Sequence, residues 1–99
     1  MTKEFVYRLL KKIPKGKVTT YKELALVMGT HSRAIARILA ANKDPENIPC
    51  YKVVRSDGSI GGYTFKGRLD VKRKIALLKR DGIEVKNGKI DLKKYLHRF

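Results

Sequence analysis

The residue best suited to covalent chemistry in this chain is its one cysteine, Cys50, in the run Ile48-Pro49-Cys50-Tyr51-Lys52-Val53-Val54. A lone cysteine is most often a small buried hydrophobe. Its surroundings argue for more. Pro49 fixes the backbone just before the thiol. The polar stretch from Lys43 to Pro49, with Pro45 and Pro49, reads as a loop that delivers Cys50 to the start of a short buried strand, Tyr51 to Arg55. A side chain at such a junction lies at the edge of a cleft. The thiolate is the reactive form of a cysteine whose free pKa is about 8.5, so nearby positive charge would activate it. Lys52 or a helix terminus could supply that charge. The two histidines are placed otherwise, His31 in a turn and His97 in a basic tail, and neither is positioned as a base for Cys50. One cysteine excludes an internal disulfide framework, and the Cys/His count speaks against a zinc site.

The elements around Cys50 follow from periodicity and punctuation. Val6, Leu9, Leu10 and Ile13 recur at helical spacing until Pro14 to Gly16 stops the helix. Thr20 and Glu23 have capping-box spacing, which starts a second helix with Leu24, Val27 and Met28 on its apolar face and Gly29 at its end. Ser32 is the expected N-cap of a third helix, with Ile35, Ile38 and Leu39 inward and an end near Asn42. Two short helices joined by a tight Gly-containing turn read as a helix-turn-helix, with Ala25, Gly29 and Ile35 where the helices approach. The outward face of the third helix carries Arg33, Ala34, Arg37, Ala40 and Ala41. Small residues let a helix backbone approach a groove, and arginines reach phosphates or base edges. The plain alternative is a solvated helix made of good helix formers.

Beyond the cysteine, Ser56-Asp57-Gly58 reads as a turn and Gly61 to Thr64 as a flexible return. A fourth helix is expected from about Arg68 to Arg80, with Val71, Ile75 and Leu78 buried and Lys72, Arg73 and Lys79 outside, ended by Asp81-Gly82. Asn87-Gly88 between two alternating segments signals a two-residue hairpin, and Leu92 to Phe99 could form a final helical turn. The fold class expected is mainly α with a small β element, a winged helix-turn-helix-like DNA-binding domain spanning residues 1–99 as a single unit.

The 99 residues carry 24 Lys plus Arg against 9 Asp plus Glu, a formal charge of +15. Such one-sided self-repulsion points to a polyanionic partner, although a hot habitat also favours charged surfaces. The 42% hydrophobic content supports a packed core and excludes disorder. No segment approaches the roughly 18 apolar residues of a membrane span. The charged N-terminus lacks a signal-peptide core. The expectation is a monomer without membrane contact, cytoplasmic or nucleoid-associated, with a reduced cysteine.

Gly-Lys-Val-Thr-Thr-Tyr (16–21), Arg33-Ala34, Asn42, Pro49-Cys50-Tyr51-Lys52-Val53-Val54, Gly58, Gly61-Gly62-Tyr63 and Leu77-Leu78 with Asp81-Gly82 occur together and in this order. In this the chain, from about Phe5 to Ile83, resembles the C-terminal catalytic domain of the O6-alkylguanine-DNA alkyltransferases, without the N-terminal domain that many members carry. The resemblance implies transfer of an alkyl group from O6 of guanine in double-stranded DNA to Cys50, once per molecule, with no cofactor. It matches Tyr21 to the tyrosine that presses on the 3′ phosphate and meets the extruded base. It matches Arg33 to the finger that fills the vacated stack and Ala34 to the small residue facing the minor groove. Asn42 matches the brace of the active-site turn. Tyr63 and Thr64 match the pocket lid, and the backbone of Cys50 and Val53 matches the groups that bind the guanine edge. The family's Pro-Cys-His-Arg is Pro-Cys-Tyr-Lys here. Tyr51 stands in the place of the histidine and Asp81 in that of its partner glutamate, so the residues expected to activate Cys50 are a tyrosine and an aspartate. A tyrosine hydroxyl, with a pKa near 10, is a poor base at neutral pH. The turn from Gly29 to Arg33 is shorter than the family's, and the segment from Tyr63 to the last helix is longer. Two other readings share parts of this pattern. One is a non-catalytic alkyltransferase-like protein that flips and flags alkylated bases. The other is a winged-helix transcription regulator, which has no use for Cys50, Asn42 and Tyr63. A basic structural chromatin protein would explain the charge alone.

Overall fold

The first helix, α1 (Lys3–Lys11), buries Val6, Leu9 and Leu10, the stripe its periodicity calls for. Ile13 follows them into the core just before Pro14. The computed structural model describes residues 3–65 and 68–99. A strand of two residues, β1 (Thr19–Thr20), leads directly into α2 (Tyr21–Met28). The capping box is real: Thr20 is extended, and its hydroxyl accepts the Glu23 N–H at 3.0 Å, a cap worth about 1 kcal/mol. Gly29 ends α2 at φ 69°, a left-handed conformation that glycine adopts without a Cβ penalty.

The third helix, α3 (Ser32–Ala40), is capped by His31 and not by Ser32. His31 holds the extended cap conformation, and its Nδ1 accepts the Ala34 N–H at 3.2 Å. Ser32 is already inside the first helical turn, so its hydroxyl cannot cap. The helix stops at Ala40, short of Asn42. Leu24 and Ala25 of α2 and Ile35 and Leu39 of α3 are buried where the two helices pack, and this pair is the helix-turn-helix.

The expected strand from Tyr51 to Arg55 is a 3₁₀ turn over Cys50–Lys52 followed by a strand of two residues, β2 (Val53–Val54). Cys50 therefore opens a turn and not a strand. The Lys52 N–H closes on the Pro49 carbonyl at 3.1 Å, and the Val53 N–H bonds the Cys50 carbonyl. The chain becomes extended only at Val53, where β1 offers a parallel partner: Thr19 lies opposite Val53 and Thr20 opposite Val54. In this parallel register Tyr21, just after Thr20, continues toward Arg55, while the cysteine turn sits at the other end of the ladder before Val53.

The Arg55–Gly58 turn forms as expected, with the Gly58 N–H on the Arg55 carbonyl at 2.9 Å. The segment after Gly61 is less loose than its glycines suggest. Tyr63 is buried, and Thr64–Phe65 (β3) pairs antiparallel with Arg68–Leu69 (β4). Arg68 and Leu69 thus lie outside the fourth helix. That helix, α4 (Val71–Arg80), begins after Asp70, whose carboxylate accepts the Arg73 N–H at 3.0 Å. Asn87 and Gly88, both at positive φ, make the two-residue turn, flanked by the Lys86–Lys89 bridge. The last helical turn, α5 (Leu92–Tyr95), is stitched to the strand region: Val18 donates to the Tyr95 carbonyl at 2.9 Å, and His97 donates to the Val18 carbonyl at 2.6 Å. One hydrophobic core runs from Val6 to Tyr95. The fold is mainly α with a small β element. Among the described residues no helix is long and apolar enough to cross a membrane.

Candidate nucleic-acid interface and reactive thiol

A cleft of about 610 Å³ opens between α2, α3 and the segment that follows the cysteine turn. Cys50, 7% exposed, lies in its wall with Tyr21, Arg33, Leu39, Gly62 and Tyr63. Its mouth is cationic, with Lys22, Arg33 and Arg55 against Asp57. Arg33, Ala36 and Ala40 present the exposed strip of α3 to the cleft. Arg37 is exposed on the same helix outside the cleft lining, and Ala34 is half-buried with its N–H on His31. The small residues that border the cleft are therefore Ala36 and Ala40.

Asn42 is buried beneath the loop that leads to the cysteine. Its side-chain amide donates to the Ile48 carbonyl at 3.1 Å, and its Oδ1 accepts the Asp44 N–H at 2.9 Å. Both ends of the 42–50 loop are thereby fixed, with the Cys50 N–H on the Ile48 carbonyl at 2.8 Å. Burial pushes the Cys50 thiol pKa up, while the Asn42 side chain and the positive charge of Lys74 pull it back. The charge of Cys50 in turn adds to burial in raising the pKa values of Tyr7, Tyr21 and Tyr63. For Tyr63 the rise reaches about 12. Two of these phenols, Tyr21 and Tyr63, line the cleft with the thiol, whereas the Tyr7 hydroxyl donates to the Ile38 carbonyl at 3.1 Å. The Tyr63 hydroxyl is buried and has no hydrogen-bond partner among the described residues.

Lys74 is the functional candidate that sequence reasoning missed. It is fully buried in α4, and its ammonium donates to the Val53 carbonyl at 2.7 Å and the Gly62 carbonyl at 3.1 Å. Burial lowers its pKa to about 7, against the pull of the Cys50 charge. Lys52, proposed from sequence as the activating cation, turns elsewhere. Its ammonium is buried against the Ile13 carbonyl at 2.9 Å, where it satisfies the end of the segment after α1. The charges that act on Lys52 are those of Asp81 and Arg80. Val53 offers its carbonyl to Lys74 and its N–H to Cys50.

Tyr51 and Asp81 come together, and neither lines the cleft. The Tyr51 hydroxyl donates to Asp81 Oδ2 at 2.5 Å and accepts from Arg80 at 3.3 Å. Arg80 Nε reaches the other Asp81 oxygen at 3.4 Å. Burial and the Asp81 carboxylate hold the Tyr51 phenol at about 12. The side chain of Thr64 lies outside the described residues.

Comparison with known proteins gives this geometry a context. Residues 1–83 match the family described as the DNA-binding domain of 6-O-methylguanine DNA methyltransferase. The chain is 52% identical over 93 residues to a bifunctional methyltransferase/endonuclease of Picrophilus torridus, covering 92% of this chain and 30% of that protein. It is 49% identical over 63 residues to a methylated-DNA–protein-cysteine methyltransferase of Pyrobaculum aerophilum, covering 64% of this chain and 41% of the relative. The chain thus spans less than half the length of these curated relatives. Among solved structures, S. pombe Atl1 in complex with damaged DNA containing O6-carboxymethylguanine superposes with a TM-score of 0.83 at 25% identity, over 100% of this chain and 99% of that one. The chain belongs to the family of alkylguanine DNA repair proteins built on the 6-O-methylguanine DNA methyltransferase DNA-binding domain.

Proposed function

We propose that this chain is the catalytic, C-terminal type of alkyltransferase domain. It binds double-stranded DNA carrying O6-alkylguanine and takes the alkyl group onto Cys50. The observation that carries the reading is the wall shared by the thiol, two protonated tyrosines and the arginine-bearing face of α3. A target base buried in the stack must be extruded first, at a cost of a few kcal/mol. An Arg33 side chain inserted in the vacated stack offsets part of that cost, while Ala34 and Arg37 serve the groove and backbone. The backbone of Cys50 and Val53 meets the guanine edge. Asn42 holds the loop, and Tyr63 closes the pocket over the alkylated oxygen.

The chemistry is a displacement. The sulfur of Cys50 forms a bond to the alkyl carbon as the carbon–oxygen bond breaks. The guanine accepts a proton, and the thiol proton is lost on ionisation, so thiol plus alkylguanine becomes thioether plus guanine. Tyr21 is protonated and supplies the proton that makes guanine the better leaving group. Lys74, while protonated, lowers the cost of the thiolate. Tyr51 and Asp81 hold the turn that carries Cys50 to α4 and take no proton from it. A thioether is not reversed by any group in this site, so each molecule acts once.

A second reading is lesion binding without transfer. It is favoured by the raised thiol pKa and by the end-to-end likeness to Atl1 on damaged DNA. Intact-mass analysis after mixing with duplex O6-methylguanine DNA separates the two. The expected result is a gain of one methyl group on the Cys50 peptide, lost in Cys50→Ser. Tight binding with no mass change would establish the second reading.

A further inference from the structure

Five large apolar side chains are left exposed among the described residues. Leu69 is the most exposed of them, at 74%, and it is the one that lines the cleft. Its position is built. Leu69 ends β4, paired with Thr64 of β3, and the next residue, Asp70, donates its N–H to the Tyr63 carbonyl at 2.8 Å. The Arg73 guanidinium of α4 stacks 3.9 Å from the centre of the Phe65 ring and pairs with the Asp70 carboxylate at 3.4 Å. The base of the hairpin is therefore tied to the first turn of α4. Leu69 Cδ1 lies 3.6 Å from the point where a Cβ on Gly62 would sit, so the leucine covers a stretch of cleft wall that carries no side chain of its own.

We infer that Leu69 is an apolar wall for the O6 substituent, fitting the site to aliphatic groups bulkier than methyl. This rests on the function proposed above. The cationic mouth suits phosphates and Tyr21 suits a base edge. Leu69 offers neither charge nor hydrogen bond, and the alkyl chain is the part of the lesion that gains from leaving water against it. A cleft of about 610 Å³ falls in the range that encloses a whole drug-sized ligand, room for a base together with a substituent of several carbons.

The test compares single-turnover transfer from duplexes carrying O6-n-butylguanine or O6-methylguanine in the unmodified chain, Leu69→Ser and Leu69→Met. The expected result is a fall of about tenfold in the butyl-to-methyl rate ratio in Leu69→Ser, with Leu69→Met retaining most of it. An unchanged ratio, whether both rates hold or both fall together, would overturn the inference. If the unmodified chain transfers neither group, the transfer reading fails by itself. The ratio of Kd values for the two lesion duplexes, measured by anisotropy, then decides on Leu69 with the same expectation and the same overturning result.

Discussion

On one face of the Cys50–Lys52 turn, Tyr51, Asp81 and Arg80 close on one another through three polar contacts. On the other face, Asn42, Lys74 and the phenols of Tyr21 and Tyr63 surround a thiol with an open cleft beside it. Cys50 and Tyr51 are neighbours in sequence, yet they serve different clusters, because a 3₁₀ turn advances three residues per revolution and sets successive side chains about 120° apart. The first cluster is saturated at its buried members: the Tyr51 hydroxyl donates to Asp81 and accepts from Arg80, and the Asp81 carboxylate accepts from both, while the Arg80 side chain stays largely exposed. The second holds a cation poorly solvated by two carbonyls, and a phenol hydroxyl with no partner among the described residues. Saturated polar groups stabilise a fold. Unspent ones at a cleft are available to a ligand. The contrast assigns structure to Tyr51 and Asp81 and chemistry to the Cys50 side.

The largest effect that divides the two faces is expected at Lys74. Hydrogen bonds from an ammonium are worth roughly 1.5–3 kcal/mol each, and a hydrocarbon in its place recovers the desolvation penalty. Lys74→Met should therefore cost about 2 kcal/mol at pH 7. The pH dependence carries the signature. The Lys74 pKa falls from 10.5 to about 7 on folding. Between those values the unfolded chain holds the extra proton, so the native protein gains stability as pH rises. The gap in thermal stability between the unmodified chain and Lys74→Met should widen from pH 7 to pH 9, and a constant gap would show that the buried amine titrates normally. Iodoacetamide labelling of Cys50 at neutral pH should slow in the variant, because the Lys74 charge that favours the thiolate is gone.

Why Lys74 escaped sequence reading is instructive. It lies on the same stripe of α4 as Val71, Ile75 and Leu78, so its inward direction was legible. Lysines are rarely buried whole, and solvent exposure was the reasonable expectation. What permits the burial is a pair of carbonyls, Val53 and Gly62, that come from other parts of the chain. Local signals fared better. The Thr20 cap, the helix-turn-helix and the Asn87-Gly88 turn each depend on a few consecutive residues. His31 displaced Ser32 as a cap because a helix start can shift by one residue without changing the apolar pattern. The strands have two residues each, too short for an alternation to be read, which is why Leu69 was expected in a helix and emerged on a cleft lip. For the candidate site, residue types singled out Cys50 and Arg33, the family resemblance added Tyr21, Asn42 and Tyr63, and the structure gathers them around one cleft or the loop behind it. The division between Cys50 and Tyr51 depended on the turn itself.

Asp81→Asn tests the same contrast from the saturated face. The carboxylate takes the Tyr51 hydroxyl and the Arg80 guanidinium, and a neutral amide weakens both. The expected cost is about 2 kcal/mol, read as a lower denaturation midpoint. Labelling of Cys50 should change by less than about threefold, since its pKa is set by burial, Asn42 and Lys74. A loss of thiol reactivity as large as that of Lys74→Met would join the two clusters and return Tyr51 and Asp81 to the activation of Cys50.

Tyr51→Phe is the mildest intervention on this face. It removes one hydroxyl and keeps the ring, and Asp81 keeps its Arg80 contact, so the expected cost at pH 7 is about 1 kcal/mol. Its dependence on pH runs opposite to that of Lys74. The folded phenol is held at about 12, above its ordinary 10.0. Between those values the unfolded chain releases the proton first, so the stability Tyr51 contributes is full below pH 10 and is lost as pH rises toward 12. The stability gap between the unmodified chain and Tyr51→Phe should therefore narrow from pH 9 to pH 10.5 in chemical denaturation, while the Lys74→Met gap widens over its lower window. Opposite slopes from the two faces of one turn would separate a hydrogen bond that protects a proton from a buried amine that sheds one. Parallel slopes would mean that the clusters titrate together, with Tyr51 sharing the electrostatics of the thiol.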